Sequence, residues 1–117
     1  MSDYQQINLN EVDNVTVVRF NSAKIIDDTV IQQLGVELLA LVTDEQRKSL
    51  LLNFEGVEFL SSAALGKLIK LDKTVKGTGG RLKLACIRPE IYEVFSITKL
   101  DQQFDIRANE AEAIAAF

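Results

Sequence analysis

The chain has 117 residues, of which 47% are hydrophobic and 26% charged, and its formal net charge is −4. This size and composition predict one globular domain over residues 1–117 that can bury a core without disulfides or metal. The acidic balance argues against a nucleic-acid partner. Because the chain has no histidine and one cysteine, Cys86, it excludes a Cys/His zinc site, a Ser-His-Asp triad and an internal disulfide.

The sequence gives no sign of a membrane or secretory segment. No apolar run approaches the roughly 18 residues that a membrane-spanning helix needs. The first residues are polar and acidic, unlike a secretory signal. Cys86 lies in an apolar run, which predicts a buried core thiol. A single thiol also fits a reducing compartment, so we expect a cytoplasmic protein without a membrane span.

The first part of the chain predicts a hairpin followed by a helix. Apolar residues alternate with polar ones from Ile7, and residues 15–20 are β-branched and apolar, which predicts two strands. Asp13-Asn14 between them is a turn signal. After a short extended piece at 24–26, Asp27 or Asp28 can cap a helix that ends near Thr43.

The rest of the chain alternates strands with helices. In chain order we predict a strand at 49–54, a helix from Ser61 or Ser62 to about Gly77, a strand at 81–86, a short helix from Pro89, a strand at 104–106 and a helix from Asn109. The short helix is expected to bury Ile91, Val94 and Phe95. Such alternation implies parallel crossovers. We therefore predict an α/β domain with a mixed, mostly parallel sheet of four to five strands and helices packed to one side.

This order of elements, together with one segment, resembles the STAS domain, a family named for sulfate transporters and anti-sigma-factor antagonists. The family pattern is an apolar strand ending in Asp or Asn, a small loop, an apolar pair and then Asp-Ser-Ser-Gly-Leu-Gly. Here the segment from Leu50 to Gly66 is LLLNFEGVEFLSSAALG. Its hydrophobic spacing, its loop length and its final Leu-Gly pair fit the family pattern.

The resemblance implies a function in signalling. In family members that act as anti-sigma-factor antagonists, the second serine of the motif is phosphorylated by an anti-sigma-factor kinase. The dephosphorylated form binds that kinase and frees the sigma factor. The resemblance therefore implies a protein without catalytic activity or cofactor that binds an anti-sigma factor with serine kinase activity, in a partner-switching pathway that regulates transcription.

The sequence departs from the family motif at the phosphoacceptor. In an ungapped match, Ser61 takes the place of Asp, Ser62 that of the first Ser, Ala63 that of the acceptor and Ala64 that of Gly. Ala63 has no hydroxyl, so the phosphorylation candidates are Ser62 and Ser61, and the protein could stay permanently in its binding form. A shift of one residue would make Ser62 the acceptor but would displace the Leu-Gly pair. A serine here also needs no function beyond capping a helix.

We expect the partner to bind around this motif, because a phosphate at a helix start changes the surface charge without unfolding the domain. The predicted partner-binding residues are Asn53, Phe54, Glu55, Gly56, Phe59, Leu60, Ser61, Ser62, Ala63, Ala64 and Leu65.

Other functions stay open at this stage. One is a STAS subunit of a different assembly, such as an accessory part of a lipid transporter or a stress-sensing complex. Another is a nucleotide-binding domain, which is disfavoured because no phosphate-binding loop is present. A row of lysines, Lys67, Lys70, Lys73 and Lys76, is either a solvated helix face or a docking edge for an acidic partner.

Overall fold

The computed structural model describes residues 4–117, and its elements follow the predicted order. In chain order they are β1 (Ile7–Val12), β2 (Val15–Phe20), β3 (Lys24–Ile25), α1 (Asp28–Thr43), β4 (Ser49–Asn53), β5 (Phe59–Leu60), α2 (Ser62–Gly77), β6 (Arg81–Ala85), α3 (Pro89–Ile97), a 3₁₀ turn (Leu100–Gln102), β7 (Asp105–Arg107) and α4 (Glu110–Ala115). Within residues 4–117, no helix combines the length and apolar character needed to cross a membrane.

Five strands form a mixed sheet in the order β1-β2-β4-β6-β7. The β1–β2 pair is antiparallel, and the other three pairs are parallel. Asp13 and Asn14 connect β1 to β2 with φ of 51° and 68°, the left-handed conformation that a tight two-residue hairpin requires. These pairings confirm the predicted hairpin and the mostly parallel sheet.

A second, two-stranded sheet lies beside the main one. Here β3 pairs in parallel with β5, so that Lys24 is opposite Phe59 and Ile25 is opposite Leu60. The extended piece predicted at 24–26 thus has a strand partner 35 residues further along the chain. The strand β5, which immediately precedes α2, was not predicted from the sequence.

The main sheet is covered on both faces. Leu50 and Leu52 of β4 are fully buried in the cluster that also contains apolar residues of α1, α2 and α3. Leu51 points to the opposite face and is buried with Val17 and with Ala113 of α4. The expected packing of helices to one side therefore holds for α1 to α3. It is wrong for α4, which packs on the opposite face. There it covers apolar residues of β2 and β4 that would otherwise contact water.

An ion cluster fixes β7 at the edge of the main sheet. The buried Lys83 of β6 places its Nζ 2.5 Å from Oδ2 of Asp105, directly across the strand pair. The Nε of Arg107 donates to Oδ1 of the same carboxylate at 2.7 Å. The hydrogen bond from Arg107, and after it that from Lys83, lowers the pKa of Asp105 below its usual value.

This lowered pKa predicts a contribution to acid sensitivity. A carboxylate whose pKa is lower in the folded state stabilises the fold above its unfolded pKa of about 3.9, and the contribution is lost as the pH falls through the folded pKa. As the pH drops below about 4, the free energy of unfolding of Asp105→Asn should therefore fall less steeply than that of the unchanged protein. Urea denaturation between pH 7 and pH 2 measures this, with Asp13→Asn in the β1–β2 turn as a control for the loss of one charge. Parallel curves for Asp105→Asn and the unchanged protein would contradict the assignment.

Candidate partner-binding site

The segment between β4 and α2 is a tight turn followed by a short paired strand. In the turn, the N–H of Val57 donates to the carbonyl of Phe54 at 2.9 Å. Gly56 has φ of +88°, a conformation that glycine adopts without steric cost. After β5, the N–H of Ser61 donates to the carbonyl of Ile25 at 3.1 Å. Backbone hydrogen bonds therefore hold both ends of this segment, and α2 begins directly after it.

Ser61 is the N-cap of α2. Its backbone is extended, with φ of −77° and ψ of 165°, and its side chain accepts a hydrogen bond from the N–H of Ala64 at 3.3 Å. Such a cap stabilises a helix by about 1 kcal/mol. The hydroxyl of Ser61 is half-buried and already has a structural role, as the capping interpretation of the sequence expected.

Ser62 and Ala63 form the exposed first turn of α2. The first N–H groups of a helix lack intrahelical partners and carry the positive end of the helix dipole. No acidic residue lies in this first turn. Of the two residues, Ser62 alone offers a hydroxyl to a kinase, and the described part of the chain does not cover it.

Four of the predicted partner-binding residues are buried. Asn53 is 1% exposed, Phe54 and Ala64 are 0% exposed, and Leu65 is 6% exposed. A partner cannot contact these side chains without opening the core. We therefore restrict the predicted surface to the seven residues that are exposed or half-buried, which are Glu55, Gly56, Phe59, Leu60, Ser61, Ser62 and Ala63.

The buried side chain of Asn53 forms hydrogen bonds with the turn after β4 and with the start of α4. Its Oδ1 accepts the N–H of Glu55 at 2.8 Å, which holds the start of the turn. Its Nδ2 donates to Oε1 of Glu110 at 2.9 Å, and the same oxygen accepts from Arg19 at 2.8 Å. The first residue of α4 is thus connected to the ends of β2 and β4. Glu110 lies 57 residues from Asn53, and no local sequence pattern indicates this contact.

Cys86 follows β6 near this network and has φ of 63°. The sequence favours a buried core thiol, whereas the structure places this side chain half-buried at the end of the strand. Burial raises the pKa of the Cys86 thiol, which disfavours the reactive thiolate. Among residues 4–117, no three His, Cys, Asp or Glu side chains are arranged to hold a metal ion.

A groove that the sequence analysis did not predict lies between β5 and α3. Phe59 and Leu60 form one wall, Ile91 and Val94 form the other, and the space between them is about 410 Å³. Val94 was expected in the buried stripe of α3 but is 37% exposed. The helix is nine residues long and contacts the core through Ile91 and Phe95, which leaves Val94 on its flank.

The lysines of α2 do not form one uniform row. The side chain of Lys67 lies over Gly35 of α1 and donates to Oε1 of Gln32 at 3.2 Å. Lys76 pairs with the buried Asp72 at 2.9 Å. Only Lys70 and Lys73, among these four, have exposed side chains without such contacts in the described chain, which leaves little support for a lysine docking edge.

The fold and the exposed helix start define the class of this protein. The family model described as STAS domain matches residues 6–113, so the chain belongs to the STAS domain family. BtrV of Bordetella bronchiseptica, whose name describes a candidate anti-sigma factor antagonist, is 33% identical over 85 residues, 73% of this chain and 72% of that protein.

Solved structures agree with the family. An anti-sigma-factor antagonist (STAS) domain protein from Planctomyces limnophilus is 27% identical, with a TM-score of 0.82 over 94% of this chain and 95% of that one. The Bacillus cell fate determinant SpoIIAA in its phosphorylated form is 22% identical, with a TM-score of 0.71 over 94% and 97% of the two chains. The second likeness shows a shared fold. The resemblance inferred from the Leu50 to Gly66 segment is therefore confirmed at the level of the family.

Proposed function

We propose that this protein is an anti-sigma-factor antagonist, a non-catalytic cytoplasmic protein of one domain that binds an anti-sigma factor with serine kinase activity. The observation that carries the proposal is the exposed first turn of α2. In the ungapped match to the family motif, Ser62 and Ala63 of this turn take the positions of the two serines. The names of the relatives from Bordetella bronchiseptica and Planctomyces limnophilus support the same function.

The geometry of the turn explains how its charge would control binding. Without modification, the turn presents a small hydroxyl, a methyl group and backbone N–H groups, which a partner can cover at little cost. A phosphate on Ser62 would bring a charge of about −1.5 to −2. The helix N-terminus could hold that charge without a change of fold. A partner that covers the turn would have to desolvate it, and binding would weaken.

The binding test compares the unchanged protein with Ser62→Asp and Ala63→Asp. The probe is the purified kinase-type anti-sigma factor whose gene lies nearest in the same genome. We expect the unchanged protein to bind and each aspartate to weaken binding on the order of a hundredfold, as one burial of charge costs a few kcal/mol. Val36→Asp, which adds the same charge at an exposed position of α1, should bind normally. Absence of binding by the unchanged protein would overturn the proposed function.

The phosphorylation test asks whether Ala63 keeps the protein permanently in its binding form. Incubation with the kinase and ATP should leave the unchanged protein unmodified, because the acceptor position lacks a hydroxyl. Ala63→Ser should gain one phosphate, detected by mass spectrometry. Phosphate on Ser62 of the unchanged protein would show instead that the switch has moved by one residue, and Ser62→Ala would then abolish it.

A further inference from the structure

The groove between β5 and α3 extends the apolar surface of Phe59 and Leu60 beyond the first turn of α2. Phe59 is 54% exposed and Val94 is 37% exposed, although both are large and hydrophobic. Together with Leu60 and Ile91 they line one continuous space of about 410 Å³. This volume lies within the range of ligand-binding sites. Exposed apolar surface of this kind commonly marks an interaction site.

Charged residues of both signs surround the groove. Glu58 lies beside β5 and Glu90 lies in the first turn of α3, one on each wall, and Arg88 lies next to them. Within residues 4–117, none of these three side chains takes part in a salt bridge. The Nζ of Lys24 lies 5.6 Å from the ring centre of Phe59. Because neither Glu58 nor Glu90 forms a salt bridge within residues 4–117, each carboxylate can still pair with a cation of an occupant.

The shape and charge of the groove limit what can occupy it. A small anion would meet a carboxylate on each wall. Strand addition is also disfavoured, because β5 has only two residues to pair. An apolar helix face with basic residues beside it fits both the walls and the carboxylates.

The groove continues into the proposed partner surface. Phe59 and Leu60 of the groove are followed directly by the cap Ser61 and the exposed Ser62. One partner can therefore cover the groove and the turn together. We propose that the groove receives an amphipathic helix of the anti-sigma-factor kinase, which inserts apolar side chains between Phe59 and Val94 and places lysine or arginine near Glu58 and Glu90. This inference rests on the proposed function.

The test compares two valine substitutions in the full chain. Val94→Ser removes groove surface, whereas Val36→Ser makes the same change at an exposed valine of α1, which is 63% exposed and lies outside the groove. With the purified kinase, Val94→Ser should weaken binding about tenfold or more, as expected for a central apolar contact, and Val36→Ser should not. If Val94→Ser fails to fold by circular dichroism, Phe59→Ser takes its place.

A second measurement locates the contact directly. In the chain labelled with ¹³C at its methyl groups, the kinase should shift or broaden the NMR signals of Leu60, Ile91 and Val94, and leave that of Val36 unchanged. If the unchanged protein binds the kinase but these signals and the valine variants are unaffected, the groove proposal is overturned while the proposed function stands. If the unchanged protein does not bind the kinase, both are overturned.

Discussion

Replacing Gly80 by alanine is expected to lower the free energy of unfolding by about 2–3 kcal/mol, within the usual range for overpacking a closed site. A Cβ at this position would lie 2.7 Å from the carbonyl oxygen of Lys48 and 3.0 Å from Cγ1 of Val75. The Lys48 carbonyl cannot move freely, because it accepts the N–H of Arg81 at 2.6 Å. A shift would disturb the start of the β4–β6 pairing, and thus the strand that leads to the site.

Urea denaturation of Gly80→Ala beside Gly77→Ala measures this effect. Gly77 is the last residue of α2, and a Cβ there would meet nothing within 4 Å. Its replacement should leave stability unchanged or raise it by up to about 1 kcal/mol, because alanine is the better helix former. Equal stability of the two variants would show that the chain around Gly80 relaxes without cost, and that the close approach is not a constraint on the fold.

The main sheet and its helices could be predicted because local patterns determine them. The wholly apolar run at 50–52 indicated a strand buried on both faces, and it occupies the centre of the sheet. Asp27, one of two aspartates considered, caps α1 by accepting the N–H groups of Thr29 and Val30. Ser61, one of two serines considered, caps α2. In each case, the signal lies within a few residues of the feature that it determines.

The features that were missed depend on contacts between distant parts of the chain. The strand β5 has two residues, and it exists because β3 pairs with it. The sequence predicted a helix from Asn109 but not the face of the sheet that this helix would cover. Val94 was assigned to the buried stripe of α3 together with Ile91 and Phe95. Only Ile91 and Phe95 are buried, so this nine-residue helix buries a narrower stripe than its apolar residues suggest.

Within the site, the burial of Phe54 could have been predicted from the sequence. Phe54 follows Leu50 and Leu52 at every second position, and all three are buried on the face that α1 to α3 cover. The alternation of a strand continues through Phe54, so this phenylalanine belongs to the core pattern and not to the loop. Phe59 begins β5 and lacks such a pattern. The family motif placed both residues near the partner, but motif position carries no information about which side chain reaches the surface.

Phe54 and Phe59 give the sharpest test of the distinction between buried and exposed side chains in the segment between β4 and α2. Phe54 is 0% exposed, and its ring centre lies 4.8 Å from that of Phe20. Phe54→Ala should therefore lower the free energy of unfolding by about 3–5 kcal/mol, the usual cost of removing a buried phenylalanine ring. Phe59→Ala removes a ring that is 54% exposed, and should change stability by less than about 1 kcal/mol, as for most surface substitutions.

The affinity for the kinase should be reduced directly by Phe59→Ala, whereas Phe54→Ala should mainly reduce stability. Phe59→Ala should weaken binding while its unfolding curve stays near that of the unchanged protein, because its ring lines the groove. Phe54→Ala should lose binding only in proportion to the fraction of protein that is unfolded. Measuring the unfolding curve and the affinity of each variant at one temperature separates the two causes. Full stability of Phe54→Ala combined with lost binding would mean that this ring leaves the core to meet the partner, and that burial in the free protein does not define the docking surface.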